Sequence, residues 1–173
     1  FALGPVTGAG VIGNGRNGVG AKSPLSGGIA LSQVGDFWGT ELKKAGFDAL
    51  IVEGKADQPV YLWINEGEVT IRDAVHLWGK NTKEAQDEIR NELGDDKIRV
   101  ALIGPGGENM VSYACIMNGL YDAAGRGGMG AVMGSKNLKA IAVRGNTTPA
   151  VADSDRVKEF NKNFSKNILY SHW

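Results

Sequence analysis

The sequence predicts an α+β fold, a β-rich domain with a few short helices. Glycine accounts for 26 of the 173 residues, about twice its usual share, so turns are frequent. The segments Val60–Asn65 and Val69–Arg72 alternate around a link that contains Gly67, which indicates an antiparallel hairpin. A helical spacing of apolar residues is clear in Thr82–Leu93.

The elements before the hairpin are predicted as follows. Residues 1–28 are rich in glycine and contain two prolines, so we expect strands and loops rather than a helix. Gly28–Val34 is predicted as a strand, and Gly35–Ala45 as a short helix ended by Gly46. The nearly unbroken apolar run Asp48–Glu53 predicts a further strand.

The helix after the hairpin has the clearest boundaries. Ala85, Ile89 and Leu93 recur at four-residue steps, which predicts one apolar face packed on a sheet. Thr82 is the expected N-cap and Gly94 the expected stop.

The remaining elements are strands joined by glycine-rich turns. Ile98–Ile103 and Val111–Met117 are predicted strands, with a turn at Gly104–Gly107 between them. A short helix from Gly128 to Met133 is compatible with the sequence, and Leu138–Val143 is a buried strand.

We expect two parts along the chain. Residues 1–145 form one domain, cut at its start, and residues 146–173 form a linker and a first helix. That helix spans Ser154–Leu169, with Asp153 or Ser154 as its cap. The start within a glycine-rich segment and the end after a helix suggest a fragment whose downstream helical domain is missing.

Charge and composition exclude several classes of partner. The 19 basic and 19 acidic side chains give zero formal net charge, which argues against nucleic acid and anionic membranes. No apolar run approaches the roughly 20 residues of a membrane span, so we expect no membrane contact and a cytoplasmic location. The single cysteine, Cys115, excludes an internal disulfide, and no Cys and His cluster predicts a metal site.

The segment Ala123–Gly130 is a candidate anion cradle. Its glycines let backbone N–H groups approach a ligand, and Arg126 offers a planar guanidinium for phosphate. Gly125–Gly130 and Gly8–Gly13 both match the dinucleotide pattern Gly-x-Gly-x-x-Gly. Neither has the required context, because Gly8–Gly13 leads into more glycine and Pro24, and Gly125–Gly130 lacks the acidic residue expected about 20 positions later.

Several motifs together resemble, in order and spacing, the amino-terminal domain of the tungsten-containing aldehyde:ferredoxin oxidoreductase family. The resemblance covers nearly the whole chain up to about Gly145. The motifs that carry it are Gly4–Gly8, Lys22–Gly27, Glu41–Asp48, Pro59–Ala74, His76–Lys80, Ile103–Asn109 and Ala123–Leu138.

The resemblance implies a fold, an activity and a set of cofactors. The fold is two packed, mostly antiparallel sheets, and the activity is the oxidation of small aldehydes to carboxylic acids with ferredoxin as electron acceptor. The cofactor is tungstopterin, a tungsten or molybdenum bis-pterin whose phosphates are bridged by magnesium. A 4Fe-4S cluster and the catalytic residues lie in downstream domains, so the fragment alone is expected to be inactive. A homo-oligomer or a larger oxidoreductase complex is the expected assembly.

The resemblance also assigns residues to the cofactor. Arg16 reaches between the two pterins, and the backbone carbonyls of Gln33 and Ala123 bind magnesium. Two positions depart from the family pattern, since many members have asparagine at Gln33 and arginine at Asp122. An aspartate close to phosphates is unfavourable unless it binds magnesium or points away. The full set of predicted cofactor-binding residues is Arg16, Gln33, Gly35, Asp122, Ala123, Gly125, Arg126 and Gly127.

Two alternatives stay open. One is a relative within the same family, a hydroxycarboxylate or ring-reducing oxidoreductase, because the cofactor cradle would look alike. The other is a noncatalytic nucleotide or RNA binding module, which the glycine loops alone would allow. Zero net charge and the lack of interleaved aromatic and basic residues argue against this second alternative.

Overall fold

A computed structural model describes residues 1–168 of the chain. The amino-terminal residues form a three-stranded antiparallel sheet in the order β1-β2-β3. Its strands are β1 (Ala2–Leu3), β2 (Asn17–Lys22) and β3 (Ile29–Val34). The predicted absence of a helix from residues 1–28 is therefore confirmed.

A second sheet has six strands in the order β5-β4-β9-β6-β7-β8. Only the pair of β4 and β9 is parallel, and the other four pairs are antiparallel. The predicted hairpin is confirmed, with Asn65 opposite Glu68 at the turn. The strands are β4 (Val60–Asn65), β5 (Glu68–Asp73), β6 (Arg99–Leu102), β7 (Ile116–Asn118), β8 (Asp122–Ala124) and β9 (Leu138–Arg144).

Five α-helices within residues 1–168 accompany the sheets. Helix α2 covers one face of the large sheet, where Ala85 and Ile89 are fully buried with Tyr61 and Val100. The opposite face packs against α1, α4 and the small sheet in a single apolar core. The predicted fold of two packed, mostly antiparallel sheets is thus confirmed. The helices are α1 (Trp38–Lys44), α2 (Thr82–Leu93), α3 (Pro105–Glu108), α4 (Met129–Ser135) and α5 (Ser154–Ile168).

The strand predicted at Asp48–Glu53 is wrong. Two backbone hydrogen bonds of 2.9 Å, Leu3 N to Asp48 O and Leu50 N to Phe1 O, pair the start of this segment with the amino terminus. The chain then diverges, and Ile51 is 88% exposed. The pairing is antiparallel, with Ala2 opposite Ala49, so residues 51–53 run past Phe1, and no strand within residues 1–168 lies beside them to extend the ladder.

Three other elements differ from their predicted bounds or type because of the local backbone conformation. The strand expected at Val111–Met117 begins only at Ile116, because the preceding residues form turns. The predicted turn at Gly104–Gly107 is the short helix α3, with Pro105 in its first turn. Helix α1 begins at Trp38 rather than Gly35, since Asp36 has the left-handed φ of +67°.

Helix α2 ends as predicted but begins differently. Asn81, not Thr82, is its N-cap, and the Asn81 side chain accepts a hydrogen bond from the Glu84 N–H at 3.0 Å. The Glu84 carboxylate in turn accepts from the Asn81 N–H at 3.2 Å, which completes a capping box. Gly94 ends the helix with φ +72°.

The carboxy-terminal helix matches its prediction over the described residues. Asp153 accepts a hydrogen bond from the Arg156 N–H at 2.9 Å, as expected of a cap. The helix is described up to Ile168, and the predicted last residue, Leu169, lies outside the described residues. None of the helices in this part of the chain is long and apolar enough to cross a membrane.

Candidate functional site

A cleft of about 590 Å³ lies where the end of β3 faces the segment after β8. The fold brings together five of the eight residues that the sequence assigned to a cofactor. The cleft is lined by Arg16, Leu31, Ser32, Gln33, Ala123, Gly125 and Arg126.

Strand pairing places the first half of the cleft. Gly18 of β2 lies opposite Gln33 of β3, so Arg16, just before β2, comes close to the end of β3. Alternation along β3 leaves Leu31 and Gln33 exposed while Ser32 points inward. An arginine and the Gln33 backbone therefore meet at one edge of the small sheet.

A buried hydroxyl joins the two halves. Ser32 is 3% exposed, and its Oγ accepts a hydrogen bond from the backbone N–H of Arg126 at 3.1 Å. This bond fixes the glycine segment to β3. Sequence reasoning missed Ser32, because a single serine in a strand carries no spacing signal.

The cleft presents unpaired positive charge. Arg16 and Arg126 are exposed, and no group within residues 1–168 forms an ion pair or hydrogen bond with either guanidinium. No carboxylate is among the residues that line the cleft. Two free guanidiniums on one polar cleft favour an anion with several acceptor oxygens, such as a phosphate.

The glycines of the segment divide into two kinds. At Gly125 no atom lies within 4 Å of the position that a Cβ would occupy, so a ligand can approach its backbone. At Gly127 a Cβ would lie 2.6 Å from the Ala30 Cβ, and φ is +73°. Gly127 therefore holds the loop against β3 and does not line the cleft.

Gly35 and Asp122 lie beside the cleft rather than among its lining residues. A Cβ on Gly35 would lie 2.9 Å from Asp122 Oδ1, so the carboxylate packs against the Gly35 backbone. Asp122 is exposed, and within the described residues its carboxylate has no hydrogen-bond or ion-pair partner. Its negative charge is thus placed at the edge of the cleft.

The rest of the glycine pattern serves helix packing. A Cβ would lie 2.1 Å from Ser112 O at Gly128, and 2.3 Å from Cys115 O at Gly130. Because these glycines have no side chain, the start of α4 packs directly against the backbone of Ser112 and Cys115. The Gly-x-Gly-x-x-Gly pattern thus reflects close packing by Gly127, Gly128 and Gly130, together with an open backbone at Gly125.

Comparison with known proteins decides the family. The family model for the N-terminal domain of aldehyde ferredoxin oxidoreductase matches residues 1–145. The chain belongs to the aldehyde ferredoxin oxidoreductase family. The predicted family and its class, oxidoreductases, are therefore confirmed, and this membership favours an enzyme over a noncatalytic binding module.

Relatives and a solved structure of this family agree with that assignment. The tungsten-containing aldehyde ferredoxin oxidoreductase of Pyrococcus furiosus is 53% identical over 90% of this chain and 26% of its own length. The enzyme of the same description from Pyrococcus horikoshii is 54% identical over 92% of this chain and 26% of its own length. The aliphatic sulfonate oxidoreductase, WOR-like subunit, of Pyrococcus furiosus is 42% identical over 86% of this chain and 26% of its own length.

A solved structure described as the active site complex BamBC of benzoyl coenzyme A reductase in complex with 1,5 dienoyl-CoA has the same fold. The TM-score is 0.93 at 42% sequence identity, and the match covers 98% of this chain and 26% of that one. The chain thus spans about a quarter of the length of the proteins that it matches. It is homologous to their amino-terminal part.

Proposed function

We propose that this chain is the cofactor-binding domain of a tungsten or molybdenum bis-pterin enzyme that oxidises aldehydes to carboxylic acids. The observation that carries the proposal is the cleft, in which Arg16 and Arg126 are unpaired and Gly125 exposes its backbone. A bis-pterin cofactor supplies its own sulfur ligands to the metal. The protein must then provide cations for phosphate and backbone groups for the heterocycle edges, and the cleft contains both.

Each residue has a proposed role. Arg16 would contact both pterins, Arg126 would bind a phosphate through its guanidinium, and Gly125 would let the cofactor approach the loop backbone. The carbonyls of Gln33 and Ala123, on opposite sides of the cleft, would hold the magnesium. Gly35 and Asp122 contact the cofactor from the edge of the cleft, and Gly127 acts by holding the loop.

The remaining parts of the proposal concern the whole protein. A bound metal centre would supply two-electron redox chemistry, by which an aldehyde and water yield a carboxylic acid, two protons and two electrons. A 4Fe-4S cluster held outside residues 1–173 would carry these electrons to ferredoxin. We place the enzyme in the cytoplasm of an anaerobic cell, as a homo-oligomer or within a larger oxidoreductase complex.

A ring-reducing enzyme is the second candidate. The similarity to BamBC of benzoyl coenzyme A reductase supports it, at a TM-score of 0.93. The higher identity to the aldehyde ferredoxin oxidoreductases, 53–54% against 42%, favours aldehyde oxidation. Assays of the purified enzyme with aldehydes and with an aromatic coenzyme A thioester distinguish the two, because only one substrate class should be turned over.

Replacing Arg16 or Arg126 by alanine is expected to lower cofactor retention about tenfold or more, because a charge-assisted hydrogen bond contributes roughly 1.5–3 kcal/mol. Tungsten and molybdenum are measured by mass spectrometry, and pterin by fluorescence, on protein purified anaerobically. The thermal midpoint of cofactor-free protein should not move, since neither guanidinium forms a hydrogen bond or an ion pair within residues 1–168.

The matched control is Arg156→Ala on α5, an exposed arginine outside the cleft. Its metal and pterin content should equal that of the unmodified protein. Unchanged content in both cleft variants would reject the assigned roles of Arg16 and Arg126.

A further inference from the structure

We infer that Asn118 is a positioning residue that holds the two halves of the cleft in register. Asn118 ends β7 and is 1% exposed. Its Nδ2 donates two hydrogen bonds of 2.9 Å, one to Asn17 Oδ1 and one to the Gly35 carbonyl oxygen. The inference depends on the proposed function only for the identity of the ligand.

The partners of Asn118 are the neighbours of the residues that line the cleft. Asn17 directly follows Arg16, and Gly35 lies two residues after Gln33. Across the β7–β8 pair, Asn118 itself lies opposite Asp122, the residue before Ala123. One carboxamide therefore connects the three segments that carry Arg16, Gln33 and Ala123.

The chemistry of the acceptors fixes the orientation of the carboxamide. The Gly35 carbonyl can only accept a hydrogen bond, so the NH₂ of Asn118 must face it. A flipped amide would bring Asn118 Oδ1 against that carbonyl and would lose the bond. Asn17 must in turn present Oδ1, which leaves no freedom in either side chain.

The same orientation leaves two buried polar atoms unpaired. Within the described residues, Asn17 Nδ2 and Asn118 Oδ1 have no hydrogen-bond partner. Unsatisfied polar groups of this kind lower stability, so apolar side chains in place of both asparagines would cost less. The Asn17–Asn118 pair is therefore unfavourable for packing of the core. Its presence points to a role in holding the cleft.

The decisive experiment compares two substitutions that each add one potential negative charge to the pair. Asn118→Asp replaces the NH₂ donor by an oxygen, which faces two acceptors, Asn17 Oδ1 and the Gly35 carbonyl. Both hydrogen bonds should therefore be lost. Asn17→Asp keeps the acceptor that Asn118 needs, so the tether should survive. A general effect of buried charge would disturb both variants alike.

Hydrogen exchange of the full-length protein, expressed without tungsten and molybdenum, measures the tether directly. In Asn118→Asp, peptides over 14–18, 31–37 and 120–127 should exchange about tenfold faster, the change expected from losing one or two hydrogen bonds. Peptides over the β4–β5 hairpin should not change. Asn17→Asp should exchange like the unmodified protein in all of them, and equal acceleration in the two variants would overturn the inference.

A second variant tests the inference if Asn118→Asp does not fold. Asn118→Leu fills similar space without a donor or a charge, and it should give the same local acceleration. Unchanged exchange in the three peptides of Asn118→Leu would also overturn the inference.

After growth with both metals, Asn118→Leu should lose metal faster than Asn17→Asp on anaerobic dialysis. If the unmodified protein contains neither metal, the proposed function fails, whereas the exchange result still decides the role of Asn118.

Discussion

Replacing Lys139 by methionine is expected to lower the free energy of unfolding by about 3–5 kcal/mol, because it leaves a buried charge without its partner. The Lys139 side chain in β9 has no exposed surface and pairs with the Glu108 carboxylate, which is 3% exposed. The ammonium also donates to Lys80 O at 2.9 Å, and Glu108 Oε2 accepts from Gly79 N at 2.8 Å. The pair thus fixes the Gly79-Lys80 segment as well as α3.

Lys83→Met is the matched control for that substitution. Lys83 pairs with Asp87 one helical turn away on α2, and their side chains are 69% and 45% exposed. Its loss should hardly change the free energy of unfolding, because solvent screens an exposed pair. Urea unfolding of both variants measures the difference. A loss at Lys139 no greater than the loss at Lys83 would contradict the importance of the buried pair.

Gly134→Ala is the second substitution with a large expected effect. The new Cβ would lie 1.9 Å from Gly107 O and 2.7 Å from its carbonyl carbon, so α3 and α4 would have to separate. We expect a loss of about 3 kcal/mol or failure to fold, at or beyond the upper end of ordinary overpacking. Thermal unfolding and soluble yield are the measurements.

Gly106→Ala provides a contrast in α3. No atom lies within 4 Å of its Cβ position, and its φ is not positive. Since alanine favours a helix over glycine by about 1 kcal/mol, this variant should be neutral or slightly more stable. Similar destabilisation at Gly106 and Gly134 would show that helix contact is not what requires glycine at Gly134.

Elements defined by local patterns could be predicted from the sequence. The β4–β5 hairpin and α2 follow from alternation, helical spacing and glycine stops, and each appears in the structure. That Asp48–Glu53 does not form a strand could not be predicted, because an apolar run does not reveal whether a neighbouring strand is present to pair with it. Asp36 likewise gave no signal of its left-handed backbone, which delays the start of α1.

The local pattern predicted an anion cradle at Ala123–Gly130, but only the family resemblance predicted that Arg16 and Gln33 form its other half. Arg16 and Arg126 lie beside strands of different sheets, and the packing of β3 against β8, with the Ser32–Arg126 hydrogen bond, brings them to one cleft. No local spacing encodes this packing. The residues that support them, Ser32 and Asn118, are single polar side chains within strands and were not found. The pattern at Gly125–Gly130 also could not separate the glycine that opens to the cleft from those that pack against backbone.

Metal and pterin analysis of the full-length protein tests the central claim most directly. The protein should be purified anaerobically after growth with both tungstate and molybdate, and compared with the double variant of Arg16→Ala and Arg126→Ala. We expect tungsten or molybdenum together with pterin in the unmodified protein, and severe depletion of both in the double variant. Absence of both metals and of pterin from the unmodified protein would contradict the account.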